Sequence, residues 1–550
     1  MEKADGTLAG GYSYGGAINN SGSITFDALA TFEGNSAIAT GGPSQGGAIN
    51  NGGANAVVTF NDEAQFKNNT ATATAMEKAD GTLAGGYSYG GAIANGSTIT
   101  FGGLVTFEGN TSSATGSLSY GGAIYNGGTI TFDALATFDG NSATAIDGHS
   151  YGGAIHNSGA NAVLTFKNES QFKNNTATAT ATEKADGTLA GGYSYSGAIL
   201  NTGTITFDAL ATFEGNSATA TGGNSHSGAI YNYGASAVLT FNDEAQFKNN
   251  TATATAMEKA DGTLVGGTSY GSAIMNYAPI TFGGLATFEG NTSSATGGYS
   301  YGGAIRNEGT NAVLIFNNEV LFKNNTATAT AMEKADGTLV GGTSYGSAIM
   351  NYASITFGGL ATFEGNSAIA TGGSANGGAI RNGGANAVLT FNDKAQFKNN
   401  RATATAMKKA DGTLVGGDSY GGAIFNYNNA IINFNNSFTF TNNKTISKGV
   451  ETPNDIYNSG TINFNHGLDE NNNPLIGSLD GGISNSGTIN KTGAGTLILG
   501  DGMKNSGTGT FAQSAGLTIA HADKLTFATT NNITGGELRV HGDSLAGLKA

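Results

Sequence analysis

The chain has 550 residues, of which 90 are glycine, 4 are proline and none is cysteine or tryptophan. Only 11% of the residues are charged, so hydrogen bonding falls mainly to asparagine, serine and threonine. With 38% hydrophobic residues, the net charge of −15 is too weak to cause charge-driven disorder, and its sign argues against a nucleic-acid partner. The scarcity of proline excludes collagen.

A repeated tetrapeptide, Gly-Gly-Ala-Ile or a variant with one serine, organises most of the chain. Twelve copies follow one another at intervals of only 31 or 44 residues, beginning at residues 15, 46, 90, 121, 152, 196, 227, 271, 302, 346, 377 and 421. Each unit contains short alternating runs such as Ser23–Phe26 and Ala30–Phe32, separated by polar turns and without a helical period. One unit cannot bury its isoleucine and phenylalanine side chains alone, so the units are predicted to stack.

Stacking one coil per unit places isoleucine on isoleucine and phenylalanine on phenylalanine at the strand spacing of about 4.8 Å. We therefore predict an all-β fold, a right-handed parallel β-helix with about one coil per 31- or 44-residue repeat. The handedness follows from the general chirality of crossovers. Because the coils become shorter and less regular after residue 446, we divide the chain into a repeat β-helix with hairpin-like loops, residues 1–446, and a shorter-coil β-helix, residues 447–550.

Asparagine recurs at two fixed positions in every unit. One closes a Phe-x-x-Asn motif, and the other is the second residue after each Gly-Gly-Ala-Ile: Asn20, Asn51, Asn95, Asn126, Asn157, Asn201, Asn232, Asn276, Asn307, Asn351, Asn382 and Asn426. Asparagine tolerates the left-handed conformation of a sharp corner, and its amide can bond to an asparagine in the next coil. We interpret the two columns as asparagine ladders. The alternative is that asparagine is simply a frequent turn residue.

The long units exceed the short ones by 13 residues, which we expect after Phe-x-x-Asn. Threonine alternates with alanine there before an Asp-Gly pair, a pattern typical of a β-hairpin with a primed turn. A disordered polar loop is the alternative. Calcium binding is disfavoured because each loop offers only one or two carboxylates. These loops contain the candidate contact residues Asp80, Asp186, Asp261 and Asp336.

Tyrosine precedes the repeated tetrapeptide in nine of the twelve units: Tyr14, Tyr89, Tyr120, Tyr151, Tyr195, Tyr270, Tyr301, Tyr345 and Tyr420. Tyrosine is favoured at protein and carbohydrate contacts because its ring buries a large area while its hydroxyl stays hydrogen-bonded. A row of tyrosines beside the hairpins is a candidate contact surface. The alternative is corner packing between adjacent coils.

Catalysis has little support in this pattern. Polysaccharide lyases and hydrolases also use β-helices, but they need one local cluster of acidic and basic groups. Here the only arginines are Arg306, Arg381, Arg401 and Arg539, and the acids recur along the chain. Six histidines show no metal-ligand spacing: His149, His156, His226, His466, His521 and His541. We therefore predict a protein that is not an enzyme and has no metal or cofactor.

Ice binding is a further alternative, because Thr-Ile-Thr recurs at Thr98–Thr100, Thr129–Thr131 and Thr204–Thr206. An ice-binding face requires the threonine pair on successive coils. The first threonine is replaced elsewhere, for example by Val57 and Pro279, so this reading is disfavoured.

The pairing of Gly-Gly-Ala-Ile, as at Gly15–Ile18, with Phe-x-x-Asn, as at Phe32–Asn35, closely resembles the passengers of polymorphic outer-membrane protein (Pmp) autotransporters. Lys491–Leu499 also resembles the passenger-associated repeat that many autotransporters carry. The resemblance implies a secreted β-helix on the extracellular face of a bacterial outer membrane, acting as a multivalent adhesin or a surface-shielding structure. It implies a host-cell or matrix protein, or a glycan, as the partner.

The resemblance also implies membrane attachment only through a C-terminal barrel missing from this chain. The first 25 residues contain no apolar segment of a secretory signal. Met1 aligns with Met76, Met257 and Met332 inside the repeat, so we expect the chain to be a fragment of a longer protein. A β-helix polysaccharide lyase or hydrolase, and then an ice-binding solenoid, are the alternative functions.

Overall fold

The structure is a computed structural model that describes residues 10–78, 83–500, 509–521 and 530–541. The described residues form strands and turns and contain no helix. The chain divides into two compact units. The first contains Met1–Gly283, Asn291–Gly298 and Lys334–Val340, and the second contains Gly284–Gly290, Tyr299–Glu333 and Gly341–Ala550. Each unit is built as a parallel β-helix, which confirms the predicted all-β parallel solenoid.

Five short strands make one coil. We name the sheets that they enter sheets I to V, in chain order. In the first unit one coil contains Ser194–Tyr195, Ile199–Asn201, Thr204–Phe207, Ala211–Glu214 and Ser217–Thr221. In the second unit one coil contains Ser344–Tyr345, Ile349–Asn351, Ser354–Phe357, Ala361–Glu364 and Ser367–Thr371. Each strand pairs in parallel with its counterparts, as Ile199 does with Ile155 and Ile230, so one repeat makes one coil.

The 13 extra residues of a long unit lie in two places, and the prediction of one insertion after Phe-x-x-Asn was wrong. Partners in sheet II are 31 or 44 residues apart, as in Ile18 with Ile49 and Ile49 with Ile93. Partners in sheet IV are 34 or 41 residues apart, as in Phe32 with Phe66 and Phe66 with Phe107. Three of the extra residues therefore lie between sheets II and III, in a turn that Ala56 N closes on Gly53 O. The other ten form the projecting hairpin.

The core consists of columns of identical side chains. Phenylalanines of sheet III stack face to face, as Phe207 does on Phe241 with ring centroids 4.9 Å apart. A second column in sheet IV meets the first edge to face, at 5.9 Å between Phe207 and Phe213. Small inward alanines of sheet V, such as Ala218 and Ala220, close the core on a third side. Aromatic pairs in both geometries add stabilisation beyond the area that they bury.

Both asparagine columns are hydrogen-bonded ladders inside the solenoid. In the first unit Nδ2 of each asparagine from Asn20 to Asn232 donates to Oδ1 of the next, at 2.8–3.0 Å. The second column does the same, as Asn69 does to Asn110 at 2.9 Å. The ladder residues do not adopt the predicted left-handed conformation. The residue before the second column does, as in Asn68 (φ 54°) and Gly109 (φ 62°), which leaves the ladder amide in extended backbone.

Asp455 ends the second ladder in the second unit. It is fully buried and accepts a hydrogen bond from Asn443 Nδ2 at 2.9 Å on one oxygen, and from Gly481 N at 2.6 Å on the other. A ladder in which every amide donates forward needs a final acceptor, and a carboxylate can accept without having to donate. Burial raises the pKa of the Asp455 carboxyl to about 7, although these hydrogen bonds oppose the shift.

The last coils are shorter. Sheet V folds back at the antiparallel pair Lys444–Ser447 and Val450–Pro453. Later described strands pair only within sheets II, III and IV. They are Ile456–Asn458, Thr461–Phe464, Ile476–Leu479, Ile483–Asn485, Thr488–Lys491, Thr496–Leu499, Thr510–Gln513, Leu517–His521, Thr530–Ile533 and Glu537–His541. The division of the chain at residue 446 stays a prediction.

Replacing Phe213 by alanine should lower the free energy of unfolding by about 3 to 5 kcal/mol, because the cavity cannot be refilled. Phe213 is fully buried, with ring neighbours Phe172 and Phe247 at 4.8 and 4.9 Å. Removing two residues at the exposed tip around Asp186 should cost far less. Urea titrations of the two variants compare the losses directly, and equal losses would refute the stacked core.

Stability should depend on pH through Asp455. The folded chain holds this proton more tightly than the unfolded chain, whose carboxyl has a pKa of about 4. The contribution to stability is therefore complete below that pH and is lost as the pH rises through about 7. Between pH 6 and 8 we expect the free energy of unfolding to fall by about 1 kcal/mol more in the natural chain than in Asp455→Asn. Urea unfolding at both pH values measures the difference, and identical pH profiles would contradict it.

Candidate functional site

A concave bend joins sheets I and II in every coil. The first glycine of the bend has a left-handed backbone, as in Gly121 with φ of 62°. A Cβ on the second, Gly122, would lie 1.8 Å from Gly153 O of the next coil, so only glycine fits. Outward side chains on the two sides of the bend therefore converge, as Tyr120 and Tyr125 do with ring centroids 6.1 Å apart. We call this outward concave surface, formed by the tyrosine column of sheet I and the middle residues of the Ile-x-Asn strands, the furrow.

The predicted tyrosines form a continuous stack in the first unit. Ring centroids lie 5.0 Å apart between Tyr89 and Tyr120, 4.9 Å between Tyr120 and Tyr151, and 4.8 Å between Tyr151 and Tyr195. His226 continues the stack from Tyr195, at 4.7 Å. Both alternatives of the sequence analysis hold at once, because the rings pack between coils and are only half-buried.

The remaining tyrosines lie at less crowded places. Tyr14 is 43% exposed and contacts Tyr12, and Tyr270 follows His226 in the stack at 4.7 Å. In the second unit Tyr301 stacks on Tyr345 at 5.0 Å, and Tyr420 is 37% exposed.

Stacking decides which part of each tyrosine can meet a ligand. The faces of the rings are covered by their neighbours, so the stack offers ring edges and hydroxyl groups. Burial raises the pKa of Tyr89 and Tyr151 to about 12, and raises the pKa of Tyr120 further. The hydroxyls therefore remain protonated at neutral pH and can both donate and accept hydrogen bonds.

The second wall of the furrow was not predicted from the sequence. It is the middle residue of each Ile-x-Asn strand, which points outward by strand alternation but is covered by the tyrosines. Leu200, Tyr231 and Met275 form an apolar cluster of this kind in the first unit. An outward position occupied by large apolar residues was the signal that would have revealed this wall.

Arginine replaces the apolar residue twice in the second unit. Arg306 lies 4.6 Å from the ring centroid of Tyr301 and forms an ion pair with Glu308. Arg381 lies 4.5 Å from the ring centroid of Tyr345. Both guanidinium groups lie 5.7 Å from the ring of Tyr352, so cation–π contacts hold them in this part of the furrow.

Hairpins project after sheet V on alternate or every third coil. Four pair within one unit: Met76–Glu77 with Leu83–Ala84, Thr182–Glu183 with Leu189–Ala190, Thr251–Glu258 with Leu264–Gly266, and Met407–Lys408 with Leu414–Val415. The Thr-Ala alternation before them belongs to sheet V, not to the hairpins as predicted. Neighbouring hairpins also contact each other, since Ala260 N donates to Glu183 Oε2 at 2.9 Å.

The hairpin turn differs from the predicted primed type. Gly187 N donates to Lys184 O, and only Gly187 is left-handed (φ 76°), which defines a type I turn followed by a glycine bulge. Asp186 Oδ1 accepts both the N–H and the hydroxyl of Thr188. These hydrogen bonds lower the pKa of Asp186. Asp261 and Asp336 form the same turn, whereas Asp80 lies outside the described residues.

Sheet V of the first unit carries a flat hydroxyl face that the sequence analysis missed. Its eight paired strands each present three outward residues, and all of these are serine or threonine except Ile38 and Ile146. The strands are Ser36–Thr40, Thr70–Thr74, Thr111–Thr115, Ser142–Ile146, Thr176–Thr180, Ser217–Thr221, Thr251–Glu258 and Thr292–Thr296.

Within the described ranges no three His, Asp or Glu side chains come together in a way that could hold a metal ion. Within the same ranges no helix has the length and apolarity needed to cross a membrane.

The fold and these surfaces define a β-solenoid repeat protein whose exposed chemistry recurs from coil to coil. Residues 104–127 match the Chlamydia polymorphic membrane protein (Chlamydia_PMP) repeat. The matched segment contains Phe107, Asn110 and the Gly121–Ile124 tetrapeptide. The chain is thus similar to a Pmp-like repeat protein, of a family exposed at the outer-membrane surface. Neither the curated proteins nor the solved structures contain a match to the chain.

Proposed function

We propose that this chain is a non-enzymatic passenger segment of an autotransporter-type protein, which acts at the bacterial cell surface as a multivalent adhesin or a shielding layer. The observation that carries the proposal is the recurrence of one set of exposed features on successive coils. Tyrosine hydroxyls and hairpins repeat with the coils. The match of residues 104–127 to a Pmp repeat supports the location at the surface.

Repetition favours binding over catalysis. A catalytic site is one constellation of acids, bases or nucleophiles, whereas a repeated surface gains avidity from each further copy. We propose a host-cell or matrix protein, or a glycan, as the partner. Reducing-sugar release from pectin-like substrates tests the enzyme alternative, and sustained release would contradict the proposal.

Adhesion should fall in steps as hairpin-bearing coils are removed. Deleting residues 196–270 joins Tyr195 to Gly271 in register, and removes two coils with the hairpin at Asp261. We expect weaker attachment of protein-coated beads to cultured epithelial cells, because avidity follows valency. Deleting residues 90–120 is the control, since it removes one coil in register but no hairpin. Complete loss of attachment from one point mutation in a folded chain would favour a single site instead.

The hydroxyl face of sheet V favours ice binding as a second candidate. Its side chains repeat at about 4.8 Å between strands and about 6.7 Å along each strand, and an ordered array of hydroxyl and methyl groups suits an ordered ligand. Thermal hysteresis of the purified protein tests this function. Thr178→Lys should abolish the effect, whereas Thr206→Lys on sheet III should not. Absence of hysteresis in the natural chain removes this candidate.

A further inference from the structure

Arg381 is a cation enclosed by aromatic rings. Its guanidinium carbon lies 4.5 Å from the ring centroid of Tyr345, 5.4 Å from that of Tyr427 and 5.8 Å from that of Phe425. Nη1 donates to Tyr352 Oη at 3.1 Å. The side chain is half-buried, so part of the guanidinium remains accessible.

Arg381 differs from the other arginines in its charge balance. Arg306, Arg401 and Arg539 each have a carboxylate within ion-pair distance. Within the described part of the chain, Arg381 has none. A guanidinium held in place by rings and without its own counter-ion is ready to bind a carboxylate in the two-pronged geometry that such pairs prefer.

The coil of Arg306 shows what is missing at Arg381. Glu308 follows Arg306 at the second position, and Gly383 follows Arg381 at the same position. The next residue has the same backbone in both coils, with φ of 108° at Gly309 and 106° at Gly384. A Cβ on Gly383 would lie 3.1 Å from Arg381 Nη1, so this glycine marks the place where a carboxylate-bearing side chain is absent.

We propose that Arg381 and its aromatic walls bind a sugar that carries a carboxylate, which takes the role that Glu308 has for Arg306. The carboxylate pairs with the guanidinium, and the ring of the sugar lies against Tyr427, which is 44% exposed. The hydroxyls of Tyr345 and Tyr352 are available to the hydroxyl groups of the sugar.

An acidic sugar fits this site better than an acidic peptide. A bound peptide must satisfy its own backbone N–H and C=O groups. The neighbouring strands already use theirs between coils, as in the pairing of Ile380–Asn382 with Ile349–Asn351 and Ile424–Asn426. A sugar presents apolar faces and hydroxyls, which match aromatic rings and phenolic groups. This inference rests on the proposed binding function and names a ligand class for one of its surfaces.

The test is calorimetric titration of the full chain with a hyaluronan hexasaccharide, which carries carboxylates but no sulfate. We expect binding at one site per chain, and binding at least tenfold weaker for the neutral chitin hexasaccharide. Arg381→Gln and Gly383→Glu should each weaken binding at least tenfold, the first by removing the cation and the second by supplying an internal carboxylate. Arg381→Lys should weaken binding less than Arg381→Gln, because it keeps the charge but loses the planar fork.

Gly127→Glu is the matched control. It adds the same charge at the equivalent position of a coil whose outward residue is Tyr125, and should leave binding unchanged. Urea midpoints verify that every variant folds. Equal binding by Gly383→Glu, equal binding of the neutral sugar, or tight Arg381-dependent binding of hexaglutamate would overturn the proposal. Loss of sugar binding with stepwise adhesion intact would overturn this inference alone. Intact sugar binding with adhesion independent of coil number would overturn only the proposed function.

Discussion

Parallel hydrogen bonding between successive coils is the constraint on which the rest of the structure depends. Within each unit it places every residue on its counterpart at about 4.8 Å. At that distance like side chains must be compatible with themselves. Phenylalanine rings stack, and asparagine is the polar residue that can donate to and accept from its own copy. Asp455 breaks the rule only where a ladder ends and a final acceptor is required.

The same constraint turns single residues into surfaces. A tyrosine before the glycine bend becomes a stack, an alternating threonine becomes a hydroxyl face, and one ten-residue insertion becomes a set of hairpins. Specific chemistry then depends on departures from the repeat. Arg381 and Gly383 make such a departure, because the equivalent coil at Arg306 carries its own carboxylate. A repeated frame thus supplies valency, and its irregular positions supply selectivity.

Several local details followed from interactions that the repeat pattern does not encode. The left-handed residue precedes the ladder asparagine because the ladder amide needs extended backbone to reach the next coil. The hairpin turn has a glycine bulge because Asp186 bonds to Thr188, which occupies its carboxylate. Three inserted residues lie before sheet III, a fact that the 34- and 41-residue spacing of Phe-x-x-Asn contained but the spacing of Gly-Gly-Ala-Ile concealed.

The sequence alone determined the all-β solenoid, the coil length and the residues that face the core, because a period in the chain becomes a period in space when strands pair in register. The asparagine positions were evident for the same reason. The furrow was not, because it depends on a concave bend that buries outward side chains such as Leu200. The environment of Arg381 was decided by tertiary structure as well. Its four aromatic neighbours come from three coils, and only folding brings residues 345, 352, 425 and 427 around one guanidinium.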